Sequence, residues 1–168
     1  TDTRECITVL GIPDTQHGYL WSEDRTRLIP LHDERFCDLV VQVAKRTQPD
    51  HIVLMGDMLD AAEVSRWPTE AAYRDTLQAA IDALSWWLAQ LRLACPTAVV
   101  HYIEGNHEKR IRDALGKAAP ALADLRAAGE DSPAMSIPRL LGLERLGIDY
   151  VGPYGASVWV GDVVEYTH

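Results

Sequence analysis

The sequence has few cysteines, no long hydrophobic run and little positive charge. Its three cysteines, Cys6, Cys37 and Cys95, are widely spaced and form no CxxC pair, which predicts buried thiols in a reducing compartment rather than a disulfide framework. No apolar stretch approaches the roughly 20 residues that cross a membrane, and the first residues lack the basic and apolar regions of a signal peptide. We therefore expect a cytoplasmic protein without a membrane partner.

Acidic side chains outnumber basic ones. There are 25 Asp and Glu against 16 Lys and Arg, which gives a formal net charge of -9. Tight, sequence-independent binding to nucleic acid requires Lys and Arg to neutralise phosphates, so this composition disfavours long duplexes as partners. Bound divalent cations would reverse the sign locally and favour small phosphate esters as substrates. The basic residues Lys109, Arg110 and Arg112 keep nucleic acid or nucleotides among the candidates.

The order of apolar patterns predicts an α/β fold. The 168 residues are long enough for one domain with a sizeable core and too short for two, so we expect 1–168 to form a single domain. Strand-like runs at 6–12, 52–55 and 97–103 are separated by helix-like patterns that begin at Asp33 and cover 73–91. Strands that alternate with helices are typical of a parallel sheet with right-handed crossovers.

The remaining segments are less regular. Residues 19–31 have no period, which predicts a long surface loop near the site. The helix after Asp33 should bury the face that carries Phe36, Leu39, Val40, Val43 and Ala44. Residues 136–146 favour a helix interrupted at Gly142. Residues 149–151, 157–160 and 163–166 favour short strands, with a hairpin turn at Gly161-Asp162. The sheet should thus be parallel in its N-terminal half, with an antiparallel C-terminal hairpin and flanking helices.

Three potential metal ligands follow the three predicted strands. Asp14 follows the first, Asp57 follows Gly56 after the second, and Asn106 follows Gly105 after the third. Since the carboxyl ends of parallel strands share one edge of a sheet, these oxygen donors should lie together. Two carboxylates there repel unless a cation lies between them. The alternatives are a simple Gly-Asp turn at Asp57 and an N-cap role for Asn106.

These motifs resemble those of the calcineurin-like metallophosphoesterase family. Asp14-x-Gln16, Gly56-Asp57-x-x-Asp60, Gly105-Asn106-His107-Glu108 and a strand-borne His168 occur in the family's order and approximate spacing. The family pattern is D-x-H, G-D-x-x-D, G-N-H-D/E, a single His after a strand, and finally G-H-x-H. The resemblance covers nearly the whole chain and implies a metallophosphoesterase-type layered sheet.

The resemblance implies a site with two divalent metal ions. Asp57 would bridge both ions, Asp14 and Gln16 would bind the first, and Asn106 and His168 would bind the second. The expected reaction is hydrolysis of phosphomonoesters or phosphodiesters, with attack on phosphorus by a metal-bridging hydroxide. The substrate, the native metals and the oligomeric state are not predicted.

The resemblance also implies roles on the substrate side of the site. His107 would stay off the metals, contact the scissile phosphate and protonate or polarise the leaving oxygen. Asp60 would orient His107, and Asn106 would also contact the substrate. Trp21 and Trp67, in loops that follow ligand-bearing strands, are candidates to flank a base or an aromatic leaving group, or else pack on the surface.

The sequence departs from the family pattern at Gln16. The family has His there, and the nearest histidine is His17, one residue late. An amide oxygen is a harder donor than an imidazole nitrogen, which favours Mn²⁺ or Mg²⁺ over Zn²⁺ or iron. His17 is the alternative ligand; otherwise it is expected to face solvent or substrate. His32 is expected to face the site, whereas His51 and His101 are expected to be structural or surface groups.

The final G-H-x-H motif is absent, because the sequence ends at His168. Each ion is then one His short, so we expect either a C-terminally truncated domain or a degenerate site. A degenerate site gives the main alternative function, a non-catalytic protein-interaction module on a metallophosphoesterase fold. A nuclease of the same family is a third possibility.

Overall fold

The structure is a computed structural model that describes residues 6–67 and 70–168. Within these ranges the chain forms a mixed α/β fold. The strands are β1 (Val9–Ile12), β2 (Tyr19–Trp21), β3 (Leu28–Pro30), β4 (His51–Met55), β5 (Val99–Ile103), β6 (Ile148–Gly152), β7 (Ser157–Val160) and β8 (Val164–Thr167). The α-helices are α1 (Glu34–Thr47), α2 (Leu77–Ala94), α3 (Asn106–Ala118), α4 (Pro120–Ala123) and α5 (Ile137–Leu141). Short 3-10 helices cover Ala62–Val64, Ala71–Tyr73 and Glu144–Leu146.

A parallel sheet in the order β1-β4-β5-β6 forms the centre of the fold. Helices α1 and α2 are the crossovers between its first three strands, as the alternation of patterns predicts. The strand predicted at 149–151 is confirmed as β6, and its parallel pairing with β5 extends the parallel sheet into the C-terminal half of the chain. All four carboxyl ends therefore lie at one edge of the sheet, which we call the carboxyl edge.

Helix α1 begins where the sequence predicts. The Asp33 carboxylate caps it by accepting hydrogen bonds from the backbone N–H groups of Arg35 (3.0 Å) and Phe36 (3.1 Å). The predicted buried face is partly wrong, because Phe36, Leu39 and Val43 are 45%, 54% and 38% exposed. The buried stripe instead consists of Cys37, Val40 and Ala44. This stripe includes Cys37, which the predicted apolar face did not contain.

Residues 19–31 form a β-hairpin, which corrects the prediction of an irregular loop. Strands β2 and β3 pair antiparallel, with Tyr19 opposite Pro30. Asp24 closes the turn, since its carboxylate accepts hydrogen bonds from the Ser22 hydroxyl (2.6 Å) and the Thr26 backbone N–H (3.1 Å). Three-residue strands are too short to show the alternation by which strands are recognised.

The predicted C-terminal hairpin is confirmed. Strands β7 and β8 pair antiparallel, and their turn contains Gly161 (φ +63°) and Asp162 (φ +54°), the positive angles that tight hairpin turns require. The hairpin contributes Val160 to a small core with Val53 and Ile103 on one face of the sheet. The larger core lies on the other face, beneath α1 and α2.

Burial tests the prediction for the cysteines. Cys37 and Cys95 are buried as predicted, whereas Cys6 is exposed. Burial raises the pKa of the Cys37 thiol to about 11, which keeps it protonated. In the described part of the chain, no helix combines the length and apolar character needed to cross a membrane.

Candidate metal centre

The loops that follow β1 and β4 are joined by backbone hydrogen bonds at the carboxyl edge. Asp14 N–H donates to Gly56 O (3.2 Å), and Gln16 N–H donates to Asp57 O (3.0 Å). Three of these residues have left-handed backbone angles: φ is +48° at Asp14, +46° at Gln16 and +51° at Asp57. Such angles cost of order 1 kcal/mol each and cluster at functional sites. The fold thus maintains an unfavourable backbone where the predicted ligands lie.

Asp14, Asp57 and His168 form a cluster that can hold a divalent cation. Each offers one ligand atom, and these atoms lie within 4.8 Å of one another. His168 Nε2 lies 3.4 Å from Asp57 Oδ2, and Asp57 is only 5% exposed. Among residues 6–67 and 70–168, no Lys or Arg forms an ion pair with either carboxylate. Asp14 is exposed, so solvent screens part of the repulsion between the two carboxylates. Two carboxylates and an imidazole are donors that fit a divalent ion.

Two glycines allow the strand-end loops to approach each other. A Cβ atom on Gly105 would overlap with Asp57 Oδ1, and one on Gly56 would overlap with the His168 ring. Gly56 also has φ +86°, a conformation that side chains disfavour. Glycine is therefore required at both positions by the packing around the cluster, and the positive φ at Gly56 also fits the Gly-Asp turn alternative.

Glu108 connects the elements that carry the cluster. Its Oε2 accepts hydrogen bonds from the backbone N–H groups of Asp57 (3.1 Å) and Gly105 (2.9 Å). Its Oε1 accepts from Leu59 N–H (2.9 Å) and the Tyr102 hydroxyl (3.0 Å). Burial raises the pKa of the Glu108 carboxyl, and the hydrogen bonds, that from Leu59 foremost, oppose this rise. Four donors around one buried carboxylate fix the position of Asp57.

His107 lies beside the cluster in one defined orientation. Its Nδ1 lies 2.9 Å from Asp60 O and 3.1 Å from Asp60 Oδ1. Both are acceptors, so Nδ1 carries the proton. Its Nε2 lies 3.8 Å from Asp57 Oδ2 and accepts a hydrogen bond from the Arg110 guanidinium at 2.7 Å. Asp60 thus occupies the orienting position that the family resemblance implies.

The other predicted ligands have less defined positions. Asn106 is the first residue of α3, is exposed and lines the cleft beside the cluster. Gly105, not Asn106, occupies the N-cap position of α3, so the capping alternative for Asn106 is wrong. Gln16 is half-buried on the loop joined to Asp57. Their roles as ligands remain predictions.

His17 is buried, which corrects the prediction of a solvent-facing or substrate-facing residue. It is 2% exposed, and its ring stacks on His32 with ring centroids 4.4 Å apart. Its Nε2 lies 3.8 Å from Cys37 Sγ. Burial lowers the pKa of His17 to about 4, so its ring is neutral and acts as a core side chain. His32, its stacking partner, packs there too and not at the metal cluster.

The two loop tryptophans have different surroundings. Trp21 Nε1 donates a hydrogen bond to Arg74 O at 2.9 Å, which gives it a structural role. Trp67 is 65% exposed and lines a cleft of about 540 Å³ together with Asn106. His51 and His101 stack with ring centroids 5.5 Å apart on the sheet, in agreement with the structural role predicted for them.

Sequence reasoning missed the roles of Glu108 and Arg110. Glu108 lies three residues after the N-cap Gly105, a spacing at which an acidic side chain reaches back to the helix start. Arg110 lies three residues after His107 and so shares its helix face. Both spacings are signals in the sequence. The contacts with Asp57, Leu59 and Asp60 are long-range and carry no local signal.

Two mycobacteriophage proteins are similar to this chain. The Gene 54 protein of Mycobacterium phage D29 is 37% identical over 100 residues, which cover 57% of this chain and 38% of that protein. The Gene 54 protein of Mycobacterium phage L5 is 30% identical over 125 residues, which cover 72% of this chain and 46% of that protein. The chain thus spans less than half the length of either relative. No protein-family model matches it.

Proposed function

We propose that this protein is a metal-dependent phosphoesterase of the calcineurin-like type, which hydrolyses phosphomonoesters or phosphodiesters. The observation that carries the proposal is the convergence of Asp14, Asp57 and His168, whose ligand atoms lie within 4.8 Å of one another. An oriented imidazole lies next to them, with His107 Nε2 at 3.8 Å from Asp57 Oδ2. Metal ligands beside a potential proton donor are the groups that hydrolysis of a phosphate ester uses.

Two divalent ions are proposed as cofactors. The amide oxygen of Gln16 favours Mn²⁺ or Mg²⁺ over Zn²⁺ or iron, and Mn²⁺ is the first ion to test. Asp57 would contact both ions, Asp14 and Gln16 would hold one, and Asn106 and His168 would hold the other. When bound, the ions supply a nucleophile derived from water and neutralise phosphoryl oxygens. The two carboxylates cancel only part of their charge, so the loaded site attracts a phosphate ester.

The protein's own contribution is to orient groups around the phosphate. Asp60 holds the Nδ1–H of His107, which directs Nε2 towards Asp57 and the cleft. Arg110 donates to that Nε2 at 2.7 Å in this structure. A leaving-group oxygen competes for the same position, so Arg110 must turn towards the phosphate. Nε2 must also take up a proton from solvent, which gives an imidazolium whose Nε2–H can then pass to the leaving group while Nδ1–H stays on Asp60. Both side chains then contact the substrate.

Hydrolysis of bis-(p-nitrophenyl) phosphate and p-nitrophenyl phosphate tests the proposal. We expect Mn²⁺ to stimulate turnover, Asp57→Asn to abolish the stimulation, and His107→Gln to lower the rate by about 100-fold or more, because a positioned proton donor contributes on that order. His101→Gln is a matched control, since the His101 and His107 side chains are 12% and 15% exposed. Unchanged turnover in Asp57→Asn or His107→Gln would refute the proposal.

Gln16 favours a second candidate function. It stands where the resembled family has a metal-binding His, and this loss motivates a non-catalytic protein-interaction module. Calorimetric titration with Mn²⁺ distinguishes the two. Two bound ions per chain would argue against the interaction module, whereas no bound ion together with no hydrolysis would favour it.

A further inference from the structure

A cleft runs along α3 and borders the candidate metal centre through Tyr154, whose ring contacts His168. It has a volume of about 540 Å³ and is bordered by α3, by the segment that contains Arg66 and Trp67, and by Tyr154. Asn106, the first residue of α3, lines one end of the cleft, and Lys117, eleven residues further along the same helix, lines the other. At about 1.5 Å per residue, this stripe of α3 is about 16 Å long. The cleft is thus longer than one nucleotide step, which is about 3.4 Å in a stacked strand.

The cleft is positively charged in an acidic protein. Arg66, Arg110 and Lys117 line it, against one carboxylate from Asp113, and Arg110 also lies 3.9 Å from the Asp60 carboxylate. Asp113 is itself neutralised by an ion pair with Lys109. The whole chain has a formal net charge of -9, so basic residues are concentrated where a phosphate chain leading to the metal centre would lie.

Aromatic side chains border the cleft. Trp67 is 65% exposed and Tyr154 is 47% exposed. The Arg66 guanidinium lies 5.0 Å from the centre of the Trp67 ring, so the indole carries a cation on one side. Tyr154 makes an edge contact with His168, with ring centroids 5.7 Å apart, and so connects the cleft to the metal cluster. Exposed rings beside cations are the elements that stack bases and bind the backbone of single strands.

We infer that this cleft binds single-stranded nucleic acid, with a base stacked on Trp67 and backbone phosphates near Arg110 and Lys117. This inference rests on the proposed function, because the strand would enter the phosphoesterase site at Asn106. A duplex fits less well, since its bases are already stacked and cannot reach Trp67. A mononucleotide would leave most of the basic stripe empty.

Fluorescence anisotropy of a labelled oligodeoxythymidylate, measured in EDTA, tests binding without hydrolysis. We expect salt-sensitive binding that Trp67→Ala weakens about five- to thirtyfold, since base stacking on an aromatic residue contributes on this scale. Trp86→Ala is the matched control, because Trp86 is 63% exposed and lies outside the cleft. Lys117→Gln should reduce the slope of log affinity against log salt by about 0.7, whereas Lys45→Gln should not.

The inference is wrong if the chain does not bind the single strand, if Trp67→Ala binds as tightly as the unmodified protein, or if a duplex of the same length binds equally well. Circular dichroism of each variant shows that it is folded. Binding without any metal-stimulated hydrolysis would refute the proposed function alone. Hydrolysis of the p-nitrophenyl esters without strand binding would refute the cleft assignment alone. An oligouridylate measured in parallel distinguishes DNA from RNA as the preferred strand.

Discussion

The polar side chains at the two ends of the parallel strands differ in whether they are paired within the protein. Towards the amino ends of the strands, which we call the amino edge, Asp149 in β6 pairs at 3.1 Å with His101 in the middle of β5, and His101 contacts His51 in β4 at 3.2 Å. Asp50 there accepts hydrogen bonds from the backbone N–H and hydroxyl of Thr8 at 2.7 and 2.8 Å. At the carboxyl edge, the carboxylates of Asp14 and Asp57 converge with His168 instead.

Left-handed backbone angles occur at both edges, since Gln48 before β4 has φ +44°. Left-handed angles occur at Asp14 and Asp57 on the carboxyl edge, and Glu108 secures Asp57 with a buried carboxylate. The polar groups of the amino edge are matched within the protein and need no ligand. The carboxyl edge instead brings two carboxylates together, which is the arrangement that the proposed cation would complete.

Glu108→Ala should cause the largest loss in the free energy of unfolding. It would leave the N–H groups of Asp57, Leu59 and Gly105 and the Tyr102 hydroxyl without their acceptor in a buried region. We expect a loss of about 3–5 kcal/mol in the free energy of unfolding, the scale of a broken buried polar network. Urea denaturation followed by circular dichroism measures it.

Glu108→Gln is the conservative comparison for that prediction. An amide has one acceptor oxygen and one donor NH₂, whereas all four partners of Glu108 are donors in this arrangement. The NH₂ would therefore face two N–H groups, or one N–H and the Tyr102 hydroxyl. We expect Gln to recover little of the lost stability. Full recovery would show that shape, and not the acceptor pattern of a carboxylate, fixes the carboxyl edge.

Divalent cations should stabilise the protein through the carboxyl edge alone. A ligand that binds only the folded state adds about 2.7 kcal/mol when its free concentration is 100 times the dissociation constant. Thermal unfolding with increasing Mn²⁺ should therefore show a rising Tm for the unmodified protein. Asp57→Asn should remove most of this rise and should also relieve repulsion in metal-free buffer.

The control for cation binding is Asp149→Asn at the amino edge. It changes the formal charge by the same amount but leaves Asp14, Asp57 and His168 intact. The Mn²⁺-dependent rise in Tm should persist in this variant. If both variants lose the Mn²⁺-dependent increase in Tm equally, the ions act through general charge screening. The carboxyl edge would then not be the specific binding site.

Much of the fold could be predicted from the sequence because its signals are local. The strand at His51–Met55 and the helix after Asp33 follow from apolar period and capping. The short β2–β3 hairpin and the membership of β6 in the parallel sheet were missed. Three-residue strands show no period, and the choice of partner strand depends on long-range packing.

The candidate site divides in the same way. Asp14 and Asp57 could be placed together because each follows a strand of the parallel sheet, whereas His168 was expected there only from the family resemblance. The burial of His17 could not be predicted from the sequence, because it depends on Cys37 and His32, which belong to other elements. The four hydrogen bonds to Glu108 also join separate segments, so its structural role was visible only in three dimensions.

Asp149→Asn should cause the smallest loss in the free energy of unfolding. The Asp149 side chain is 64% exposed and that of His101 is 12% exposed, so solvent screens their interaction. Exposed ion pairs contribute less than about 1 kcal/mol, and added salt should reduce even this difference. Urea denaturation at low and high salt measures it against Glu108→Ala. A loss as large as that of Glu108→Ala would show that His51, His101 and Asp149 act as a single buried network. The amino edge would then be held together as firmly as the carboxyl edge, and only the unmatched charges of Asp14 and Asp57 would still distinguish the two.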